Sequence, residues 1–331
     1  MTVTLQTRKP TGKPSWPIVL LAGGEKTGKT FNAAKATGSS LIGRTYWVTI
    51  GEDQPDEYGQ LGDFDIVEHD GSYRAILSAL RAAAAQPAPA RGVPLLVVDS
   101  MTRLWDLLKE NAQNVANERK GGGPHKDAQV TADLWNAAAA QWAHVMDAIR
   151  SFPGPVVLTA RLDQVAVMDE RGQPTKERIA KVQAHKSLPF DVGALVEMPT
   201  LGEVWVSGVR SLRLQITERT AVPEDFSLDW FWRKLGLADG ESTPREHVSP
   251  EAEREPFDAD GIAAGLDQYD DLEQLSALWQ RLTPQQRATP VDGRPLGDLL
   301  RRRKALLHDR ALEPAFALNT GAVEDEDEMP F

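Results

Sequence analysis

The sequence predicts an α/β domain built on a mostly parallel sheet, followed by a small helical domain. Three observations carry that expectation. Short apolar runs alternate with helical segments through the first 237 residues. The runs are apolar throughout, not at every second residue, which is how strands covered on both faces read. After Leu237 the composition turns polar and proline-rich, and helical periodicity returns near Phe257.

The elements follow in order. Residues 1–15 carry Lys, Thr, Pro and Gly and read as a flexible N-terminal arm. "PIVLLAG" (Pro17–Gly23) is a buried strand opening into glycines, and Thr30–Ala36 begins a helix. "TYWVTIG" (Thr45–Gly51) is a second strand, and "YRAILSALRAAAA" (Tyr73–Ala85) is helical. "PLLVVDS" (Pro94–Ser100) is a third strand, and Asp133–Phe152 is a long helix of good helix formers. "GPVVLTAR" (Gly154–Arg161) is a fourth strand, and "VGALVEMP" and "EVWVSGVRSLRLQI" read as strands at one edge. The core is thus assigned to residues 16–237, a linker to 238–256, a small helical domain to 257–312 and an acidic tail, expected to be disordered, to 313–331. Trp105, Trp135, Trp142, Trp230 and Trp232 lie among apolar neighbours, and most of them are assigned to core packing.

Composition sets limits on function. Of 331 residues, 41% are hydrophobic and 26% charged, as in an ordinary soluble protein. No apolar run reaches the ~18 residues of a membrane-spanning helix, and the N-terminus has no apolar signal-peptide core. There is no cysteine, which excludes disulfides, thiolate metal sites and cysteine nucleophiles and fits a cytoplasmic location. The net charge of −11 is concentrated after residue 240, where 20 acidic residues face 10 basic ones. The core is near neutral, so a local basic surface for nucleic acid is not excluded.

Gly23-Gly24-Glu25-Lys26-Thr27-Gly28-Lys29-Thr30 fits G-x-x-x-x-G-K-S/T in full, between a strand and a helix. Glycines let the backbone wrap phosphate oxygens, so that N–H groups and the following helix N-terminus face the anion. Gly23 through Phe31 therefore forms the expected nucleotide contact, with Lys29 reaching the β- and γ-phosphates and Thr30 placing its hydroxyl on Mg²⁺. Asp99 ends an apolar strand, where a carboxylate holds the magnesium shell directly or through water. Glu52 follows the second strand, on the ligand side of an open sheet, where it is placed to polarise the attacking water. Asp53 and Asp56 are its rivals for that role.

With these segments placed, the chain resembles the RecA family of recombinase ATPases over Pro17–Leu237. "GGEKTGKT" looks like the family's phosphate loop, including Glu25 at its third position. "YWVTIGEDQPDEYGQLG" resembles the segment with the catalytic glutamate, matching at Glu52. "LLVVDSMTRLW" resembles the second nucleotide motif, with Asp99 followed by Ser100. "VVLTAR" falls where the family has its polar γ-phosphate sensor; Arg161, or Thr159 before it, stands there in place of the usual Gln or Asn. The resemblance implies a RecA-like P-loop NTPase core, ATP and Mg²⁺, and a homo-oligomeric ring or filament. Residues 1–15 are too short for the family's N-terminal docking module, which brings the chain nearest to shortened RecA-core single-strand annealing proteins of phages.

In that family two segments after the third and fourth strands hold DNA. Here the first is Asn117–Thr131, with Arg119, Lys120, His125 and Lys126 around three glycines. The second is Asp163–Pro189, with Arg171, Lys176, Arg178, Lys181 and Lys186; both are expected to be long basic loops. Val167 and Met168 are candidates to wedge between bases. Arg210 and Arg213, expected on a late strand, are candidates to reach a neighbouring subunit's ATP site or to protect a sheet edge. The end, "EDEDEMPF", resembles the tip of bacterial single-strand DNA-binding proteins, so Asp325–Phe331, ending in Met329, Pro330 and Phe331, is expected to dock on replication or repair proteins or to fold over the protein's own DNA loops as a phosphate mimic. The function expected is an ATP-dependent single-stranded DNA-binding ATPase acting in annealing or recombination. A nucleotide-switched replication loader and a RecA-core helicase are the alternatives.

Overall fold

Two compact units make up the chain, Met1–Ser249 and Pro250–Phe331. The computed structural model describes residues 7–120, 127–169, 171–216, 218–222, 226–238, 242–248 and 257–317. In the first unit β1 (Ile18–Gly23) leads into α1 (Lys29–Thr37), β2 (Ile42–Thr49), a 3₁₀ turn (Asp56–Gln60), β3 (Asp65–Ile66), α2 (Tyr73–Ala84) and β4 (Val93–Asp99). Then come α3 (Met101–Lys120), α4 (Ala132–Ser151), β5 (Val156–Met168), β6 (Pro174–Gln183) and α5 (Leu188–Asp191). The unit closes with β7 (Ala194–Met198), β8 (Trp205–Val209), β9 (Thr220–Ala221) and α6 (Leu228–Lys234).

Among the described residues the sheet has nine strands, ordered β3-β2-β4-β5-β1-β7-β8-β9, with β6 paired only to β5. Every pair from β3 to β7 is parallel, and β8 and β9 add on antiparallel. The first unit is thus a mostly parallel sheet between helices. The unbroken apolar strands follow from two-sided burial. Ile18, Leu20 and Ala22 of β1 pack with Ile76, Leu80, Leu104 and Trp142 from α2, α3 and α4. Val19 and Leu21 pack on the other face with Ala33, Ala34, Phe231 and Trp232 from α1 and α6. The carboxyl ends of β1, β2, β4 and β5 therefore meet at one edge of the sheet, the edge where open α/β sheets bind ligands.

Several expectations change here. The second basic segment is not a loop. β5 runs on past the sheet to Met168 and folds back as β6, with Val165 opposite Ile179 and Asp163 opposite Lys181. Arg210 and Arg213 are not on a strand; β8 stops at Val209, and both follow it in irregular chain. Trp142 and Trp232 are buried, but Trp135 is exposed on α4 and does not serve the core.

Residues 242–247 lie against the core and are not free chain. Ser15 bridges to Thr243, and Trp16 Nε1 donates to Ser242 Oγ at 2.9 Å. His247 bonds Asp147 at 2.9 Å. Arg245 is buried and donates to the carbonyls of Trp16, Ile149, Arg150 and Phe152, which closes the C-terminus of α4. Burial pushes the pKa of its guanidinium down to about 10. Arg245→Ala leaves these carbonyls without their donor at a helix end, so urea unfolding should show a loss of about 3 kcal/mol. An unchanged midpoint contradicts this role.

The second unit contains α7 (Ala259–Ala264), α8 (Leu272–Arg281), α9 (Pro284–Ala288), the hairpin β10 (Pro290–Val291) and β11 (Arg294–Pro295), and α10 (Leu296–Ala317). Its core holds Leu266, Leu275, Leu282, Leu296, Leu300 and Leu307. α10 continues through residues 313–317, which the sequence had placed in the tail. No helix among the described residues is long and apolar enough to cross a membrane.

Candidate nucleotide site and hairpin

The phosphate loop is shaped by its contact with β7. A Cβ on Gly23 would sit 2.6 Å from the Met198 carbonyl oxygen, and one on Gly24 2.9 Å from that of Pro199. The Gly24 N–H donates to Met198 O at 3.2 Å. Gly28 takes φ +91° where the loop turns into α1. No side chain other than glycine's fits the first two positions, so the loop stays close to the sheet with its backbone facing the ligand edge.

Lys29 lies under the loop, its Nζ donating to Gly24 O at 2.6 Å. Burial lowers its pKa, against the opposing pull of Asp99 and Glu52. Thr27 Oγ1 also bonds Gly24 O, at 3.2 Å. Glu25 and Lys26 form an ion pair 3.5 Å apart on the outer rim, both almost fully exposed. Phe31 meets Tyr58 edge to face, with centroids 6.4 Å apart, beside the start of α1.

Asp99 is the buried acid of the site, 6% exposed. Thr30 Oγ1 donates to its Oδ2 at 2.9 Å and Thr159 Oγ1 to its Oδ1. Burial is the main cause of its raised pKa. The folded state therefore holds the Asp99 proton more tightly than the unfolded chain does. Its ionisation costs stability as pH rises through the window between the two values. Asp99→Asn removes that cost together with the carboxylate that would hold magnesium. The expected outcome is a nucleotide-free thermal midpoint at or above wild type at neutral pH, with phosphate release down about 10²-fold. A lowered midpoint contradicts it.

Glu52 sits above this group. Ser100 Oγ and Arg161 Nη2 both donate to its Oε1, each at 3.0 Å. Asp53 and Asp56 are exposed, and of the three acids Glu52 is the one bonded to Ser100 and Arg161. Arg161 is held in turn, its backbone N–H donating to Thr102 Oγ1 at 2.9 Å. Gly51, at φ +60°, lets Arg103 pack over the turn, and Arg103 Nε donates to Gly51 O at 3.2 Å. Ser100, Thr102 and Tyr58 are the residues that sequence reading gave no role. The first two are short hydroxyls just after Asp99, and their work becomes visible only when β2, β4 and β5 end side by side.

A magnesium nucleotide fits this donor set. The glycines leave a cradle that a Cβ would fill, Lys29 supplies a half-buried cation, and Thr30 and Asp99 supply a hydroxyl and a carboxylate already in register. The site defines a P-loop nucleotide-hydrolysing domain. The family model described as an AAA domain matches residues 17–198, more than half of the chain, and the chain belongs to that family. Among solved structures the chain is similar to the RadB recombinase at 16% identity and a TM-score of 0.34. That match covers 64% of this chain and 86% of that one. No curated protein matches the chain.

The remaining candidates fall in separate places. Arg171, Lys176, Arg178 and Lys181 are exposed on the β5–β6 hairpin, and Lys186 is exposed at the turn into α5. Arg178 Nη1 donates to Gln164 O across the hairpin at 3.3 Å. Val167 is half-buried and Met168 is 62% exposed near the hairpin tip. Arg119 is paired with Asp133 at 2.7 Å, which ties it to α4 and takes it out of a free loop. The Lys120 side chain, His125, Lys126 and the tail residues Met329, Pro330 and Phe331 lie outside the described residues. Arg210 is exposed, while the Arg213 guanidinium packs against Gly236 of its own chain.

Proposed function

We propose that this protein is a DNA-dependent ATPase that binds single-stranded DNA along its β5–β6 hairpin and acts in annealing or recombination. One observation carries the reading. β5 is a single strand that touches the nucleotide site and then becomes the exposed arm: Thr159 bonds Asp99, Arg161 bonds Glu52, and from Leu162 onward the strand pairs only with β6. Any force on the hairpin is thus delivered to the two carboxylates of the site.

The residues take these roles. The loop N–H groups and Lys29 hold the phosphates, with Lys29 giving up Gly24 O for them. Thr30 and Asp99 would hold Mg²⁺, which when bound neutralises charge on the phosphate oxygens. Phe31 and Tyr58 offer an aromatic edge to the base. Glu52 orients water, and the Arg161 and Ser100 donors on its Oε1 restrain its position and basicity while they hold. Arg161, drawn toward the γ-phosphate, is the group that lets go. Lys176, Arg178, Lys181 and Arg171 meet DNA phosphates without reading sequence. Assembly as a ring or filament would bring Arg210 to a neighbour's site, and the "EDEDEMPF" end would recruit partners.

Binding of a labelled oligothymidine tests the DNA half directly. Lys176→Glu/Arg178→Glu should weaken it and lower the slope of log K against log salt by about 1.4, at ~0.7 per lost phosphate contact. Unchanged affinity and slope remove the hairpin from the DNA surface.

A further inference from the structure

The second unit segregates its charge. Asp258–Glu273 holds six acidic residues and no basic ones, while Arg281–Lys304 holds seven basic and two acidic. Arg303 is turned inward, onto the carbonyls of Asp267 and Tyr269 and toward the carboxylates of Asp267 and Asp270. The other cations line the outside. Arg287 and Arg301 both lie over the Trp279 ring, with Cζ 4.6 and 5.5 Å from its centroid. Gly297 permits this approach, since a Cβ there would meet Arg287 O at 3.2 Å and the Trp279 ring at 3.5 Å. Arg301 also pairs with Asp298 at 2.6 Å.

Gly297, Arg301, Lys304 and His308 fall at i, i+4, i+7 and i+11, so they share one face of α10. Leu296, Leu300 and Leu307 point into the core from another. The outer face therefore runs from the stacked arginines to Lys304, with the His308 imidazole beyond it. Arginines stacked on an indole have already lost much of their freedom and, beyond the Arg301 pair with Asp298, still have N–H groups to offer an anion. Repeated cations beside an aromatic ring suit a continuous phosphodiester chain.

We propose that this face of α10, with Trp279 and Arg287, is a second binding surface for the phosphate backbone of single-stranded nucleic acid. It rests on the nucleic-acid reading above but on none of the hairpin residues. Full-length protein is titrated into labelled oligothymidine across a salt series, with Lys304→Glu, Arg301→Glu/Lys304→Glu and Trp279→Ala beside wild type. Among the described residues Lys304 makes no ion pair or hydrogen bond, so Lys304→Glu separates loss of contact from loss of fold, and its thermal midpoint should match wild type. The double variant should bind about tenfold more weakly, with a salt slope smaller by about 1.4. Trp279→Ala, which releases both arginines, should bind severalfold more weakly, and Trp279→Phe should recover part of that loss. Wild-type affinity and slope in the α10 variants, with DNA binding lost in Lys176→Glu/Arg178→Glu, overturn this surface and leave the hairpin standing. The reverse pattern supports this surface and removes the hairpin. A wild-type protein with no affinity for the oligonucleotide defeats both. Tighter binding of a duplex probe defeats the single-strand assignment.

Discussion

Lys29→Ala should abolish ATP hydrolysis, with a fall of about 10³-fold or more in phosphate release. Lys29 is the half-buried cation of the cradle, within electrostatic reach of Asp99 and Glu52, and its Nζ is committed to the loop carbonyl of Gly24. Without it Asp99 and Glu52 face the incoming phosphates with one cation fewer beside them. The loss should not come from unfolding. Burial depresses the Lys29 pKa, which means that the charged ammonium costs the folded state free energy at neutral pH. The nucleotide-free thermal midpoint of Lys29→Ala should therefore equal or exceed that of wild type. Lys29→Arg should also be inactive, because a planar fork does not replace a compact ammonium beneath a closed loop. Turnover near the wild-type rate in Lys29→Ala would mean that hydrolysis happens elsewhere.

The second large effect concerns Glu52 and Arg161. Glu52→Gln keeps an oxygen for Ser100 but cannot take a proton from water, so kcat should drop about 10²- to 10³-fold with KM little changed. Arg161→Ala should act differently. It frees Glu52 Oε1 from one of its two donors and cuts the tie between hairpin and carboxylate. The rate without DNA should hold or rise, and stimulation by single-stranded DNA should vanish. Arg161→Gln, which can still bond Glu52, should recover part of the stimulation. If Arg161→Ala loses kcat as completely as Glu52→Gln, the arginine acts on the phosphate alone and the ion pair has no regulatory meaning.

The core and the phosphate loop were legible because their signals are local. Two-sided burial leaves β1, β2, β4 and β5 apolar at every position, and the glycines of Gly23–Thr30 answer a steric demand made within a few ångströms. The hairpin was not legible. Its residues from Asp163 to Gln183 mix Val165, Val167, Ile179 and Val182 with charged and polar residues, so the clean period-two alternation that marks a half-buried strand is missing, and length plus charge read as a loop. Arg245 was hidden for another reason. Ser242–His247 has the composition of a linker, yet its backbone pairs with Pro14–Trp16 and one guanidinium completes the end of α4, contacts that composition does not encode. Ser100 and Thr102 show the same limit at the site. Each is an ordinary hydroxyl until the ends of three strands bring Glu52 and Arg161 within reach.

The central claim is that one strand, β5, joins ATP hydrolysis to the hairpin. The most direct measurement is steady-state phosphate release with and without single-stranded DNA, for wild type and Arg161→Ala side by side. The account predicts a DNA-stimulated rate in wild type and one rate, with or without DNA, in Arg161→Ala. Wild-type hydrolysis that is indifferent to DNA, or a variant still stimulated to the wild-type extent, would contradict it.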